Sequence, residues 1–287
     1  MPKVRIQLQG GLGNQLFILA MAHEIEHKYS INVEIVHVRD KLERVDRKPE
    51  IGPFLSQCDH RITLVESTSL GLILRTVDKI KAVSPTFGAI LEKLLRIYTC
   101  TSLYENSIFT QKPPRILRGF FQNIEIIEAN QITLLKEIEK TLLKINNFNV
   151  RTYDQVLHIR RGDTKDISSL WGVLSIRYYL KKIEKGERIL ICTDETDVDF
   201  LKNTFSNCTI LSANESTPLE TFATLANGRK LIMANSSLSW WAGWYKSKKE
   251  PETIIFPVPW RPGDVELTSK LLLNPSTVSN AEFELQH

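Results

Sequence analysis

The length, composition and charge of the chain indicate a globular protein and exclude several other classes. It has 287 residues, 42% of them hydrophobic and 24% charged, which suffices for one large domain or two of ordinary size. The net charge of +4, with a pI near 8.8, is too small an excess for a nucleic-acid-binding footprint. It favours a phosphate-bearing ligand or an anionic membrane surface, and we expect no nucleic-acid partner.

The targeting signals and the cysteines point to a reducing compartment. The amino terminus, MPKVRIQLQGG, enters a strand pattern at once, without an apolar signal segment, and no later run of 18 apolar residues follows. The cysteines form neither a CxxC pair nor a spacing with histidine that is typical of a metal site. They are Cys58, Cys100, Cys192 and Cys208. We predict reduced thiols and a cytoplasmic protein, compatible with a bacterial origin.

The amino-terminal half begins as strand, turn, helix and strand. The elements predicted there are strands over 4–9 and 32–38 and helices over 14–29 and 125–145. Residues 70–97 have apolar positions at helical spacing, interrupted at Ser84-Pro85, where proline ends or kinks a helix. They predict one or two amphipathic helices. A polar linker is predicted near residue 150.

The carboxyl-terminal half alternates short apolar runs with helical patterns. Strands are predicted at 155–159, 188–192, 208–211, 230–233 and 253–256, and helices at 175–185, 196–205, 218–227 and 237–245. Such alternation predicts a parallel sheet with helices on both faces, in which ligands bind at the carboxyl ends of the strands. The predicted fold class is α/β, with two Rossmann-like domains over 1–150 and 151–287 that face each other across a cleft. The segment after residue 257 is too mixed to assign.

The stretch LHIRRGDT, residues 157–164, ends the first strand of the second domain. Arg160 and Arg161 present planar guanidinium donors that can hold a diphosphate, and Gly162 permits a sharp backbone turn. Asp163 could orient an arginine or accept a proton. Taken alone, the motif is better explained as a solvated charged turn.

Two further strand ends in this half carry polar groups. ILICTDE delivers Asp194 and Glu195 to a position where carboxylates could bind a base or ribose edge. Just beyond, Asp197 and Asp199 match the acid-x-acid pattern of metal-dependent sugar transferases. Acids are common in the first turn of a helix because they complement its dipole, so we predict no metal.

MANSSLSWWAGWY, residues 233–245, starts a helix directly after a strand. Its polar residues are Asn235, Ser236, Ser237 and Ser239. Hydroxyls and free N–H groups at a helix amino terminus suit a diphosphate. Core packing explains most of its tryptophan cluster, although one ring, such as Trp240, could lie near the cleft and stack on a sugar or base.

Two loops of the first domain are candidates for the acceptor side of the cleft. QGGLGNQLF places glycines, including Gly11 and Gly13, between a strand and a helix. It is not a dinucleotide fingerprint, because Leu16 stands where glycine is required, and no P-loop lysine follows. LRGFFQN would suit a cleft wall from which Arg118 or Gln122 reaches sugar hydroxyls, while its two phenylalanines fit core packing better.

Taken together, GGLGNQLF, GFFQN, HIRRGD and SSLSWWAGW resemble the α-1,2-fucosyltransferases of glycosyltransferase family 11, in order and over the whole chain. The resemblance implies a GT-B fold, GDP-fucose as the donor and transfer with inversion to the 2-OH of a terminal galactose. It implies no metal and no other cofactor. A metal-free enzyme must neutralise the departing diphosphate with protein groups, for which the arginines and the serine-rich helix start are available.

The resemblance also implies roles for individual residues. The predicted donor-binding residues are His158, Arg160, Arg161, Asp194, Glu195, Asn235, Ser236, Ser237 and Ser239. The predicted acceptor-side or cleft residues are Gly11, Gly13, Asn14, Gln15, Arg118, Gln122 and Trp240. Arg160 and Asp163 are the predicted catalytic pair. The base stays open between Asp163, Glu195, His158 and a carboxylate of the first domain, and a good leaving group makes a strong base dispensable. The chain departs from the family pattern at Thr193-Asp194-Glu195, where Ser-Asp-Asp is usual.

Three other functions compete with this interpretation. The protein could use another GDP-sugar such as GDP-mannose or form another linkage, it could be a non-catalytic glycan-binding protein, or it could be a Rossmann-type oxidoreductase. The last is weakened by Leu16. A lipid-linked acceptor, as in O-antigen assembly, and peripheral contact with the inner face of a membrane are suggested by the basic amphipathic stretch 70–97, whose alternative explanation is a solvated helix face.

Overall fold

The computed structural model describes residues 3–38, 48–56, 61–100, 112–145, 150–162, 171–184, 186–273 and 278–284. The chain divides into two compact units, Met1–Thr141 and Leu142–His287. The division falls at the last turn of a helix, whereas the sequence places the domain boundary at residue 150. No helix in the described ranges is long and apolar enough to cross a membrane.

The first unit is built on a five-stranded parallel sheet. Its strands are β1 (Lys3–Gln7), β2 (Asn32–His37), β3 (Ile62–Glu66), β4 (Ile97–Thr99) and β5 (Ile116–Arg118). Its helices are α1 (Leu12–Tyr29), α2 (Gly52–Leu55), α3 (Thr68–Val83), α4 (Pro85–Leu95), α5 (Ile124–Ala129) and α6 (Gln131–Leu142). The strand order is β3-β2-β1-β5-β4, so the direction of winding reverses between β1 and β5.

Helix α1 lies in the interior of this unit. Its apolar run LFILAMA is buried at every position, so the helix has no wide polar face. It begins at Leu12, directly after its N-cap Gly11. It ends at Ser30, which adopts a left-handed conformation with φ of 49°.

Two helices, α3 and α4, occupy the stretch for which one or two were predicted. The Ser67 hydroxyl caps α3 by accepting from the amide of Leu70 at 3.2 Å. Pro85 disfavours helical backbone in the residue before it, and Ser84 is accordingly extended, which separates the two helices. Helix α3 packs Leu70, Leu74 and Val77 into the core of the first unit.

The second unit has a six-stranded parallel sheet. Its strands are β6 (Gln155–Ile159), β7 (Ile189–Thr193), β8 (Cys208–Ser212), β9 (Lys230–Ile232), β10 (Ile254–Val258) and β11 (Val278–Asn280). Its helices are α7 (Ile176–Leu180), α8 (Val198–Thr204), α9 (Pro218–Asn227), α10 (Ser237–Ser247) and α11 (Val265–Leu271). The order β11-β10-β9-β6-β7-β8 is the 3-2-1-4-5-6 arrangement of a six-stranded Rossmann sheet when counted from β6.

Burial of the central strands of the second sheet explains why these strands could be predicted from the sequence. Every residue of β6 and of β7 is buried, because helices cover both faces, so the strands are mainly apolar and do not alternate with solvent-exposed polar residues. The three tryptophans of α10 are fully buried and contact each other edge to face, with ring centroids 5.3 and 5.4 Å apart. The predicted α/β class, with two Rossmann-like parallel sheets, is confirmed.

Candidate active site

The winding of the second sheet reverses between β6 and β9, which lie side by side with Leu157 opposite Ile232. In open α/β sheets the crevice at such a reversal, beyond the carboxyl ends of the strands, is where ligands bind. The loop after β6 contains Arg160, and the loop after β9 leads through Ser236 into α10. The fold therefore brings two of the polar motifs to one ligand-binding edge.

Arg160 and the start of α10 are in direct contact. The Arg160 Nη1 donates to the Ser236 Oγ at 3.2 Å, and its Nε lies 3.9 Å from the Asp194 Oδ2. Ser236 is the N-cap of α10, but its side chain does not cap the helix amides. A guanidinium and the positive end of a helix dipole thus meet at one point, which is an arrangement that binds phosphate.

Asp194 organises the turn that carries the arginines. Its Oδ1 accepts from the backbone amides of Arg161 and Gly162 at 2.7 and 2.9 Å. A Cβ at Gly162 would lie only 2.6 Å from the Asp194 carbonyl oxygen, so the turn requires glycine for close approach. One carboxylate oxygen of Asp194 thus holds the backbone of the turn, while the other lies 3.9 Å from the Arg160 Nε.

Arg161 differs from its neighbour because two carboxylates hold it. Its Nε donates to the Glu195 Oε2 at 3.0 Å, and its Nη1 bonds to Glu284. Burial alone would lower the pKa of Arg161, but the bonds to Glu284 and Glu195 hold that pKa above its usual value. Only 11% of the side chain is exposed. This geometry favours a role in positioning the loop over direct contact with a donor phosphate.

Both carboxylate oxygens of Glu195 are likewise hydrogen-bonded within the protein. It is buried, and its second oxygen accepts from the backbone amides of Thr196 and Asp197. Asp197 in turn caps α8, accepting from the Phe200 amide at 2.9 Å, as expected for an acid at a helix start. The described residues contain no cluster of three metal-ligating side chains.

His158 is a buried, neutral imidazole one residue before the end of β6. Burial, together with the charge of Arg160, lowers its pKa to about 3. Its Nδ1 makes no hydrogen bond in the structure. A base with so low a pKa is weak, so the burial of His158 argues against it as the group that accepts a proton.

The low pKa of His158 predicts a pH-dependent stability. Unfolded chains bind its proton below about pH 6.5 and the folded chain only near pH 3, so stability is highest above pH 6.5 and falls as the pH drops towards 3. Relative to a His158→Gln variant, the wild-type free energy of unfolding should fall by up to about 1.4 kcal/mol per pH unit in this window. Urea unfolding at several pH values between 4.5 and 7.5 measures it, and parallel curves for the two proteins would contradict the prediction.

Two other polar residues of the α10 motif, Asn235 and Ser239, form hydrogen bonds to the protein backbone. The Asn235 Nδ2 donates to the carbonyls of Trp171 and Gly172, and the buried Ser239 Oγ accepts from the Ala234 amide at 3.1 Å. These bonds fix the path from β9 into the helix, at whose first position Ser237 stands. Sequence reasoning did not distinguish them from Ser236, whose hydroxyl meets Arg160.

The expectation for Trp240 is wrong. Its side chain has no exposed surface, and its Nε1 donates to the carbonyl of Leu271 at 2.7 Å. A ring that is enclosed and hydrogen-bonded on its polar edge cannot stack on a sugar. Trp240 belongs to the core of the second unit, as the tryptophan cluster as a whole does.

The reversal point of the first sheet collects the other two motifs. Gly10 adopts a φ of +70°, which glycine accommodates without strain, and Gly11 is the N-cap of α1. Gly13 is buried in the first turn. The Asn14 Oδ1 accepts from the Gln122 Nε2, 3.1 Å away, so the glycine loop and the GFFQN segment meet here.

Gln15 does not face a ligand, in contrast to its predicted place on the acceptor side. Its Nε2 donates to the carbonyls of Gly10 and Lys48 at 2.9 and 3.0 Å. Its Oε1 accepts from the amides of Glu50 and Ile51 at 2.8 and 3.2 Å. Four bonds and complete burial make this side chain the tie between the glycine loop and segment 48–51.

The loop after β5 is strained at its centre. Gly119 has a φ of +149°, and Phe121, a bulky residue, has a φ of +52°. The Gln122 Oε1 that follows is buried and accepts no hydrogen bond in the structure. Arg118 is held by Gln7 and, through both terminal nitrogens, by Asp78 at 2.7 and 3.0 Å.

Two residues of the candidate site differ in what is known of them: Asp163 was predicted from the sequence alone, and Glu284 was found only in the structure. Asp163 falls outside the described residues, so its catalytic role stays a prediction. Glu284, which binds Arg161 from 123 positions away, had no signal in the sequence, because an acid in an unassigned terminal segment looks like any solvated charge.

Comparisons with known proteins agree with the family suggested by the motifs. The family model described as glycosyl transferase family 11 matches residues 53–261. The Escherichia coli O-antigen biosynthesis glycosyltransferase WbnK is 28% identical over 292 residues, covering 90% of this chain and 94% of that protein. An α-1,2-colitosyltransferase of Escherichia coli is 24% identical over 280 residues, covering 88% and 91%. A crystal structure of the NodZ α-1,6-fucosyltransferase with GDP superposes with a TM-score of 0.45 and 12% identity, covering 84% of this chain and 92% of that one.

Proposed function

Because the chain belongs to glycosyltransferase family 11, we propose that it transfers fucose from GDP-fucose to the 2-OH of a terminal galactose, forming an α-1,2 linkage. The observation that carries the proposal is the contact of Arg160 with Ser236 at the reversal point of the second sheet. There a cation and a helix amino terminus suit a diphosphate. The second unit is accordingly proposed to bind the GDP-sugar.

The proposed reaction is a single displacement. The acceptor oxygen forms a bond to C1 of fucose as the bond from C1 to the diphosphate oxygen breaks, and the configuration at C1 inverts. Negative charge develops on the departing GDP. Arg160 and the amides at the start of α10 would stabilise it without a metal, since preorganised donors of this kind are strongest where charge develops in the transition state.

The acceptor proton must leave during this step. Both oxygens of Glu195 are engaged by Arg161 and backbone amides, and His158 is a weak base. These contacts favour neither as the group that receives the proton. Asp163, three residues after Arg160, is retained as the proposed base.

The acceptor is proposed to bind to the first unit, at the reversal point between β1 and β5. The buried Gln122 Oε1 lacks a hydrogen-bond donor in the described structure, and a sugar hydroxyl would provide one. The strained backbone at Phe121 supports this assignment, since such strain is concentrated at functional sites. Arg118 and Asn14 flank the position.

A second candidate donor carries colitose, because one relative is named an α-1,2-colitosyltransferase. Colitose lacks the 3-hydroxyl of fucose. A site built to hydrogen-bond that hydroxyl would reject the colitose donor by about 10⁴-fold or more, whereas an apolar pocket would discriminate weakly. Comparing kcat/KM for the two nucleotide sugars therefore separates the candidates, and GDP-mannose completes the series.

The acceptor is proposed to be a galactose-terminated glycan of bacterial surface polysaccharide, since another relative is named for O-antigen biosynthesis. This setting would require a cytoplasmic enzyme that meets its acceptor on a lipid carrier.

The decisive experiment incubates the purified protein with GDP-fucose and a panel of galactose-terminated oligosaccharides, followed by NMR assignment of the linkage. We expect GDP release coupled to an α-1,2-fucosylated product. Transfer from GDP-mannose alone, or formation of a different linkage, would instead identify a transferase with another donor or another linkage. Glycan binding with neither GDP binding nor turnover would identify a non-catalytic lectin.

A further inference from the structure

The hairpin of α3 and α4 exposes an unusual amount of apolar surface. Six of the twelve large hydrophobic side chains exposed in the described ranges lie on these two helices. They are Leu72, Ile73, Val83, Phe87, Ile90 and Leu94. Large apolar patches on soluble proteins are commonly interaction surfaces, so this face is a candidate docking surface.

The apolar residues of α4 form a stripe. Phe87, Ile90 and Leu94 follow the i, i+3, i+7 spacing of one helix face and are 57%, 50% and 74% exposed. The opposite side of α4 rests on α3, with Gly88 against the backbone of Lys81. Leu91 and Leu95 also pack inward, against the core of the first unit, whereas Phe87, Ile90 and Leu94 face outward.

The charge around the stripe is positive. Lys79 and Lys93 are exposed and form no ion pair with a described residue. The acidic residues of the hairpin are engaged elsewhere, Asp78 by Arg118 and Glu92 by Lys81 at 2.8 Å. The surface therefore offers free ammonium groups beside exposed hydrocarbon, with its carboxylates already neutralised.

A basic cavity of about 660 Å³ adjoins the hairpin at the end of α4. Its cationic lining residues are Lys3, Arg5, Arg96, Lys112 and Arg115. Ile73 and Leu95 of the hairpin contribute to its apolar wall, so the cavity adjoins the exposed apolar surface of α3 at Ile73. Glu34 neutralises Lys3 and Arg5 in part.

We propose that the α3–α4 hairpin and this cavity form a docking face for an anionic phospholipid bilayer. Phe87, Ile90 and Leu94 enter the boundary between head groups and acyl chains, while Lys79 and Lys93 bind lipid phosphates at the surface. The cavity receives a phosphate-bearing head group. A second copy of this chain fits the face less well, because two such cationic surfaces would repel each other.

The test is co-sedimentation of the full chain with vesicles of phosphatidylglycerol and phosphatidylcholine, against phosphatidylcholine alone. We expect binding to the anionic vesicles only, weakened by added salt. The variant Lys79→Gln/Lys93→Gln should bind about 25-fold more weakly, since each basic residue near an anionic surface contributes about fivefold. Phe87→Ser/Ile90→Ser/Leu94→Ser should lose about 100-fold or more.

A matched control removes exposed hydrophobic residues elsewhere. Ile132→Ser/Leu143→Ser, at positions 67% and 86% exposed, should bind vesicles as the wild type does. Circular dichroism confirms that each variant is folded, and turnover on a soluble acceptor keeps this result separate from the proposed function. Absence of binding, equal binding to neutral vesicles, or an unchanged serine variant would overturn the proposal. A dimer in sedimentation velocity that the serine variant abolishes would assign the face to a second copy instead.

Discussion

Replacing Arg160 by alanine is expected to lower the turnover of GDP-fucose by about 10²- to 10³-fold, the usual effect of removing one preorganised electrostatic donor. Arg160 is the arginine of the pair that contacts the start of α10, where the diphosphate is proposed to bind. The charge that it offsets is largest in the transition state, so kcat should fall more than the affinity for GDP. Steady-state kinetics with calorimetric GDP titration measure both.

Arg160→Lys serves as the conservative variant and should recover part of the rate, since it restores charge but not the planar donor fork. Arg177→Ala is the matched control, because that side chain is 77% exposed and its nearest acid, Glu282, lies 3.7 Å away. Arg161→Ala is a poor control, since it would leave Glu195 buried without its cation. If Arg160→Ala retained near-normal turnover, the diphosphate site would have to be sought elsewhere.

Gln15→Leu is expected to lower the free energy of unfolding by about 3–5 kcal/mol, because the variant leaves the buried amides of Glu50 and Ile51 without their side-chain acceptor. Leucine is at least as large as glutamine but cannot hydrogen-bond, so the variant removes the four bonds without opening a cavity. Urea-induced unfolding at 25 °C, with the m-value checked for constancy, measures the loss.

Gln131→Leu makes the same chemical change at the start of α6, where the side chain is only half-buried. It should alter stability by no more than about 0.5 kcal/mol. If the two variants were equally stable, the four bonds of Gln15 would contribute nothing net.

The fold was predictable where strands are buried on both faces. The β6 and β7 sequences, QVLHI and ILICT, are mainly apolar and fully buried, and their observed bounds lie within one residue of those predicted. Strand β3 and the three-residue strands β4 and β5 were not predicted; β4 and β5 are too short to show periodicity. Strand β11, in the segment left unassigned, was missed for the same reason.

For the candidate site, the sequence predicted only the edge of the sheet at which each motif lies. Parallel strands end on one side of a sheet, so the arginine motif, the acidic motif and the serine-rich helix start could be assigned to one place. The side chains that face the ligand-binding edge could not be predicted, because the direction of each side chain depends on hydrogen-bond partners distant in sequence. Gln15 bonds to residues more than 30 positions away, Arg161 to Glu284, and Trp240 to Leu271.

The contact of Arg160 with Ser236 joins residues 76 positions apart in the chain. The proposed anion site therefore requires β9 to pair with β6, and non-local pairings of this kind form slowly. A nucleotide held there would bind the completed sheet and not its precursors. The donor would then act as a thermodynamic clamp on the second unit, stabilising it by mass action in proportion to its excess over the dissociation constant.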